Sequence, residues 1–182
     1  VLRDHARHAR VVAIGETGLD YFRLNGRSVA DMAWQRDRFR AHIRAARQTR
    51  LPLVIHTRSA SEDTLSILRD EQGSDAGGVF HCFTETAAVA RAALDMGFYI
   101  SFSGIISFRN ADELRDVARM VPLDRCLIET DSPYLAPMIG ATWGVGGGTP
   151  CTYSTPMALR KLPARPVKPT MRPPAGTTMS KG

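Results

Sequence analysis

Short apolar runs rich in β-branched residues alternate with helical stretches between Val11 and Asp131, and this alternation constrains the fold more than any other feature. Repeated strand–helix units of this kind are typical of a parallel sheet with helices packed on it. Five strands are predicted, at VVAIG (11–15), LPLVI (51–55), GVF (78–80), FYISF (98–102) and RCLIE (125–129). The fold class is therefore predicted to be α/β.

Helical spacing fills the stretches between these runs. We expect the four helices to begin near Asp31, Ser61, Thr86 and Asn110, where short polar side chains can cap them. In the first of these helices Phe39, Ile43 and Ala46 share one face, whereas the nearby His42 is expected to be exposed, like His5 and His8.

The length of 182 residues allows one sizeable core, but a complete eight-stranded α/β barrel typically needs about 250. No run of about 18 apolar residues is present to span a membrane, and a cytoplasmic protein is the default expectation. The three cysteines are too scattered for a disulfide framework or a Cys-x-x-Cys metal site.

The composition changes abruptly after Pro137. Residues 138–182 contain all three lysines, seven of the eleven prolines and no acidic residue, so the whole net charge of +6 arises there. No apolar period persists in this segment, and disorder is predicted for it. Two regions are therefore expected, a globular part at 1–137 and a Pro/Gly/Lys-rich carboxyl-terminal segment at 138–182.

Four side chains that can ligate a metal each follow a predicted strand, namely Glu16, His56, His81 and Asp131. The carboxyl ends of parallel strands in an α/β barrel converge on one site. Two imidazoles and two carboxylates suit a divalent ion such as Zn²⁺ or Mn²⁺, which can activate water for hydrolysis. Taken one at a time, a strand-end His or acid is more often structural, and this pattern alone does not choose among phosphoesters, amides and lactones.

Five sequence blocks narrow the choice. AIGETGLDYF (13–22), LPLVIHTRSA (51–60), GVFHCFTET (78–86), YISFSGIISF (99–108) and PLDRCLIETDSPYLAP (122–137) occur in this order. In type and order they resemble the motif blocks of the TatD family of metal-dependent deoxyribonucleases. The resemblance covers residues 1–137, about three quarters of the chain.

The resemblance implies a (β/α)8 TIM barrel, about five of whose eight strands lie in this chain, with a two-metal site of Mg²⁺, Mn²⁺ or Zn²⁺ and a DNA substrate. Glu16 matches the bridging carboxylate, and His56 and His81 match the two histidines of one metal. Asp131 matches the carboxylate that serves the other metal and the attacking water. Glu16 and Asp131 are thus the expected catalytic residues.

Three neighbouring residues could also contribute to this site. Arg58 would point to the same side as His56 and is a candidate for binding substrate phosphate, although a solvated charge explains it equally well. Glu129 shares strand parity with Asp131 and is expected to orient a ligand. Asp20 is expected to be an ordinary turn acid.

The chain departs from the family pattern at both ends. It contains no His-x-His pair, which the family carries on its opening strand, so we expect the opening strands to lie upstream of Val1 and activity of the chain alone to be weakened. The stretch after Pro137 lacks the family's Arg-Asn-Glu-Pro type of block.

Two other functions remain open. The same barrel supports amidohydrolase-like deaminases and lactonases, because fold alone does not fix function, although the ETDSPYLAP block argues against this. Alternatively, a basic carboxyl-terminal segment could bind nucleic acid while the barrel part is inactive. That segment offers only Trp143 and Tyr153 as stacking aromatics.

Overall fold

The structure, a computed structural model, describes residues 1–131 and 134–138. Five strands and five α-helices alternate through this part of the chain. In order they are α1 (Leu2–His5), β1 (Ile14–Asp20), α2 (Ala33–Thr49), β2 (Leu53–Arg58), α3 (Ser61–Asp70), β3 (Gly78–Phe80), α4 (Ala87–Asp95), β4 (Tyr99–Phe102), α5 (Asp112–Met120) and β5 (Cys126–Ile128).

The strands form one sheet in the chain order β1-β2-β3-β4-β5, and every neighbouring pair is parallel. This confirms the predicted α/β class and the five strands, in the arrangement of part of a (β/α)8 barrel. The disorder predicted for residues 138–182 falls, Met138 apart, outside the described residues.

The first two strands differ from their predicted positions. β1 begins three residues later than the VVAIG run and continues to Asp20, while β2 continues to Arg58. The apolar runs in the sequence did not predict these extensions, because only alternate residues of each extension are buried. Thr17, Leu19 and Thr57 are buried, whereas their neighbours Glu16 and Arg58 are exposed.

The two faces of the sheet are distinguished along β2. Leu53, Ile55 and Thr57 are buried, and the Thr57 Oγ1 lies 3.2 Å from the Thr64 Oγ1 of α3, so this face packs against the helices. The alternate residues His56 and Arg58 therefore point away from the helices. The functional candidates of β2 lie on this second face.

A continuous apolar core fills the space between the helices and the sheet. Phe39 and Ile43 of α2 are fully buried in it, as is Leu68 of α3. The Phe80 ring of β3 packs edge-to-face against Phe98, with ring centroids 5.5 Å apart. This core fixes the spacing of the strands that carry the candidate site.

All four expected helix starts are correct to within two residues, but the expected capping residue is wrong at α2. Thr86 caps α4 by accepting a hydrogen bond from the Val89 amide. Asp31 instead lies in a 3₁₀ turn, Ala30–Met32, where its carboxylate accepts hydrogen bonds from the Ser28 amide and hydroxyl. Among the described residues no helix combines the length and the apolar character that crossing a membrane requires.

Candidate metal centre

Three adjacent strands bring Glu16, His56 and His81 to one place. Glu16 is the third residue of β1, His56 the fourth of β2, and His81 directly follows β3. The Glu16 Oε1 lies 3.0 Å from the His56 Nδ1 and 3.5 Å from the His81 Nε2. Each of the three residues offers a ligand atom within 4.8 Å of the other two.

The local backbone explains how Glu16 reaches this position. Ile14 pairs with Leu53 and Thr17 with Ile55, so β1 contains one residue more than β2 across this interval. An extra residue of this kind bends a strand and redirects a side chain. Two of the candidates consequently lie within strands rather than after them, which corrects the strand-end positions predicted for Glu16 and His56.

A second carboxylate contacts His81 on the ring nitrogen that does not face Glu16. The Glu129 Oε1 lies 3.0 Å from the His81 Nδ1 and also accepts a hydrogen bond from the Cys82 amide. The Glu129 side chain is 2% exposed. The contact fits the expectation that Glu129 orients a ligand, because a carboxylate on one ring nitrogen fixes the direction of the other.

His56 has a comparable partner in Asp20. The Asp20 Oδ2 lies 3.3 Å from the His56 Nε2, while the Asp20 Oδ1 accepts a hydrogen bond of 2.8 Å from the Phe22 amide. The second contact is the turn role that the sequence predicts, and the first was missed. Both imidazoles therefore lie between two carboxylates.

This arrangement makes the site strongly attractive to positive charge. Hydrogen bonds to Glu129 and Glu16 raise the pKa of His81 to about 10. The hydrogen bond to Glu16 also raises the pKa of His56, and the two histidines hold the pKa of Glu16 well below its usual range. Carboxylates that favour a proton on each ring also favour a divalent cation there.

The residues present fit a divalent metal ion. One carboxylate and two imidazoles form a donor set used for Zn²⁺, Mn²⁺ and related ions. Bonds of about 2.0–2.2 Å to a common ion place ligand atoms roughly 3–4.4 Å apart, close to the separations observed in this group. Glu16, His56 and His81 are the residues that could hold it.

Asp131 is not part of this three-residue group. It follows β5 and is partly exposed, and its main-chain carbonyl accepts a hydrogen bond from the Tyr134 amide. The charge of Asp131 still acts on the residue next to His81. Burial raises the pKa of the Cys82 thiol, and the Asp131 charge adds to this effect. The metal and catalytic roles of Asp131 stay predictions.

Arg58 lies on the same face of β2 as His56, in the direction that the sequence predicts. It is the last residue of the strand rather than a loop residue, and it is exposed. Its guanidinium carbon lies 3.8 Å from the centroid of the Phe22 ring. Its role in binding substrate stays a prediction.

A pocket of about 370 Å³ opens beside the group. It is lined from β1 and β2 by Glu16, Asp20 and His56, and from α2 by residues that include Trp34 and His42. The expected exposure of His42 is wrong, because it is half-buried with its Nδ1 2.6 Å from the Thr17 Oγ1. Its position three residues after Phe39, on the buried side of α2, could have predicted this.

Known proteins are similar to this chain in sequence and in fold. Residues 1–171 match the family of TatD-related DNases. The uncharacterised metal-dependent hydrolase YcfH of Escherichia coli K12 is 56% identical over 137 residues, which are 75% of this chain and 50% of that protein. The 3'-5' ssDNA/RNA exonuclease TatD of Cronobacter sakazakii is 39% identical over 137 residues, 75% of this chain and 51% of that protein.

A solved structure has a similar fold. The crystal structure of YjjV, a TatD homologue from Escherichia coli, superimposes with a TM-score of 0.67 and 28% identity, covering 75% of this chain and 51% of that one. The chain therefore spans about half the length of the curated relatives that it matches. From the family match and from the identity to these relatives, we conclude that this chain belongs to the TatD family of metal-dependent hydrolases.

Proposed function

We propose that this chain provides the metal-binding part of a hydrolase that cleaves phosphodiester bonds in DNA. The observation that carries the proposal is the convergence of Glu16, His56 and His81, from three adjacent strands, within 4.8 Å of one another. One carboxylate and two imidazoles at that spacing have the chemistry of a hydrolytic metal site. Because the chain spans about half of its curated relatives, the activity of the whole protein is part of the proposal.

Each residue has a role in this reaction. His56, His81 and Glu16 would hold one divalent ion, and Glu16 and Asp131 would hold a second. Mg²⁺, Mn²⁺ and Zn²⁺ are the candidate ions, and when bound they supply a Lewis acid that lowers the pKa of water towards neutrality. Asp131 receives the proton of the attacking water, and the Arg58 guanidinium binds a phosphate oxygen. Residues 1–137 contain all of these side chains.

Nucleic acid is favoured over other substrates by one relative. The Cronobacter TatD protein is described as a 3'-5' ssDNA/RNA exonuclease and is 39% identical to this chain. Amidohydrolase-like chemistry on amides or lactones uses the same fold, so the fold does not distinguish the two. The two functions differ in the substrate that is hydrolysed, so the test compares DNA with a lactone and an acylated amine.

The test measures the release of nucleotides from single-stranded DNA with Mn²⁺ present. His81→Ala and Glu16→Ala are each expected to lower the rate more than about a hundredfold, since loss of a residue merely supporting a ligand already costs 10–100-fold. A lactone and an acylated amine, assayed under the same conditions, should not be hydrolysed.

His5→Ala is the matched control, because His5 is an exposed histidine in α1. It should release nucleotides at the wild-type rate. Titration calorimetry with Mn²⁺ separates loss of metal from loss of chemistry in each variant. Undiminished turnover in both the His81 and the Glu16 variant would contradict the proposal.

A further inference from the structure

An aromatic ring lies exposed beside the candidate metal centre. Phe22 follows β1 by two residues, and 51% of its surface is exposed. The Arg58 guanidinium carbon is 3.8 Å from the ring centroid and that of Arg23 is 5.7 Å away. Both distances are within the range in which a cation is attracted to an aromatic face.

The position of this ring is tied to the metal ligands. Asp20 accepts a hydrogen bond from the Phe22 amide through Oδ1, and its Oδ2 lies 3.3 Å from the His56 Nε2. The Arg58 carbonyl accepts a hydrogen bond of 2.9 Å from the Tyr21 amide, which joins the ends of β1 and β2. One carboxylate side chain thus connects Phe22 with the imidazole that would hold the ion.

The Arg58 side chain is free to bind an anion. No carboxylate of the described residues forms an ion pair with Arg58 or Arg23. A guanidinium that contacts an aromatic ring through its flat face keeps its N–H donors directed outward in its own plane. Those donors match the oxygens of a phosphate.

We propose that Phe22 and Arg58 together bind one nucleotide unit of single-stranded nucleic acid next to the metal centre. The Phe22 ring stacks on the nucleobase, and the Arg58 guanidinium binds the adjoining phosphate. This deepens the proposed function, on which it rests, by assigning the residue that binds the nucleobase of the substrate. A paired base has both faces covered by its neighbours in a duplex, so only an unpaired base can stack on the ring.

Binding is measured with the metal chelated by EDTA, so that hydrolysis plays no part. Two fluorescent pentadeoxynucleotides are compared, one with 2-aminopurine at its 3' end and one with an abasic residue there. The wild-type chain should bind the first about tenfold more tightly, as expected for one base stacked on an aromatic ring. Phe22→Leu should abolish this preference, and Phe22→Tyr, which retains a ring, should keep it.

Arg58→Gln should act differently from Phe22→Leu. It should weaken binding of both oligonucleotides equally and reduce the slope of log K against log salt by about 0.7, the value for one phosphate contact on a single strand. Arg125→Gln is the matched control. Its guanidinium lies 5.1 Å from the Tyr99 ring, before β5 and therefore at the opposite rim, and its loss should change neither quantity.

The outcomes separate this inference from the proposed function. Wild-type binding without a base preference, no measurable binding, or an unchanged preference in Phe22→Leu would each overturn the assignment of Phe22. Mn²⁺-dependent hydrolysis of bis(p-nitrophenyl) phosphate, which has no nucleobase, tests the metal chemistry alone. That hydrolysis by the wild-type chain, lost in His81→Ala, reports on the proposed function whatever base preference is measured.

Discussion

At the scale of single residues, His81 lies between two carboxylates that differ in exposure. Glu16 is 53% exposed and faces the open side, whereas Glu129 is 2% exposed and contacts the other ring nitrogen. Glu129 is therefore placed to fix the ring and to increase its basicity without reaching the ion. Replacing Glu129 by Gln should raise the dissociation constant for Mn²⁺ by about 10–100-fold, as measured by titration calorimetry.

The control for this variant is Glu113→Gln, which removes the same charge from an exposed site on α5. It should bind Mn²⁺ with wild-type affinity. Urea unfolding of both variants distinguishes a weakened ligand from a damaged fold. Equal Mn²⁺ affinity in Glu129→Gln and in the wild type would show that the buried carboxylate does not support His81.

His42 gives a prediction for the pH dependence of stability. Burial lowers the pKa of His42 below its usual value of 6.5, and the charge of Arg38 adds to this effect. The unfolded chain therefore binds a proton more readily than the folded one, so stability falls as the pH drops below about 6.5. His42→Gln lacks this proton and retains a hydrogen-bonding group for Thr17.

Urea unfolding at pH 8 and at pH 5 measures the effect. The free energy of unfolding of the wild type, relative to that of His42→Gln, should be lower at pH 5. If the difference between the two proteins is the same at both pH values, the burial of His42 has no energetic consequence.

The sequence singled out three side chains that the structure brings together, although their role as metal ligands stays a prediction. Glu16, His56 and His81 were singled out by their order and type, and they lie together. The contact of Asp20 with His56 could not be read from the sequence because it depends on how far β1 extends. The Cys82 contact with Glu129 similarly depends on the register of β3 against its neighbours.

At the scale of elements, the pairing of β1 with β2 controls the geometry of the site. Gly18 pairs with His56 and has a φ of +143°, and a Cβ at that position would lie 1.9 Å from the His56 carbonyl oxygen. That oxygen belongs to the backbone and cannot move aside without shifting β2. Glycine is required here both for the conformation and for the close approach.

Gly18→Ala should therefore separate the two strands, lowering the free energy of unfolding and weakening Mn²⁺ binding. Gly26→Ala is the matched control, since Gly26 also has a positive φ, +82°, but no atom within 4 Å of a new Cβ. The control should cost about 1–2 kcal/mol from backbone strain. Gly18→Ala should cost about 1–3 kcal/mol more, from overpacking, and equal losses in urea unfolding would contradict the argument.

The runs of β1 to β4 were predictable because each contains buried apolar residues. The run of β5 was predictable from its apolar composition alone, since Cys126 and Leu127 are only partly buried and Ile128 is 88% exposed. The extensions of β1 and β2 were not, because ETGLD and HTR alternate polar residues on the open face with buried ones on the helix face. The cap of α2 was wrongly predicted because Asp31 bonds to Ser28 in the preceding turn instead of capping the helix. Local chemistry of this kind competes with the capping signal.

At the scale of the whole molecule, charge and chemistry lie in different parts of the chain. The positive charge excess comes from residues after Pro137, whereas the metal-binding candidates and Arg58 come before it. Cations attract DNA without regard to sequence or base, whereas a metal centre with a stacking ring depends on the ion and on the base. The contribution of the basic residues to DNA binding can therefore be separated from that of the metal centre and the stacking ring.

Neutralising the basic residues of the carboxyl-terminal segment tests this separation in the full chain. Six residues are changed to Gln: Arg160, Lys161, Arg165, Lys168, Arg172 and Lys181. We expect retention on DNA to become less dependent on salt, by about 0.7 in the slope for each phosphate contact that is lost on a single strand. Mn²⁺-dependent release of nucleotides and the preference for a base over an abasic residue should persist, because neither uses these six side chains. Loss of the base preference in this variant would instead locate nucleic-acid recognition after Pro137 and leave the exposed Phe22 ring without a ligand.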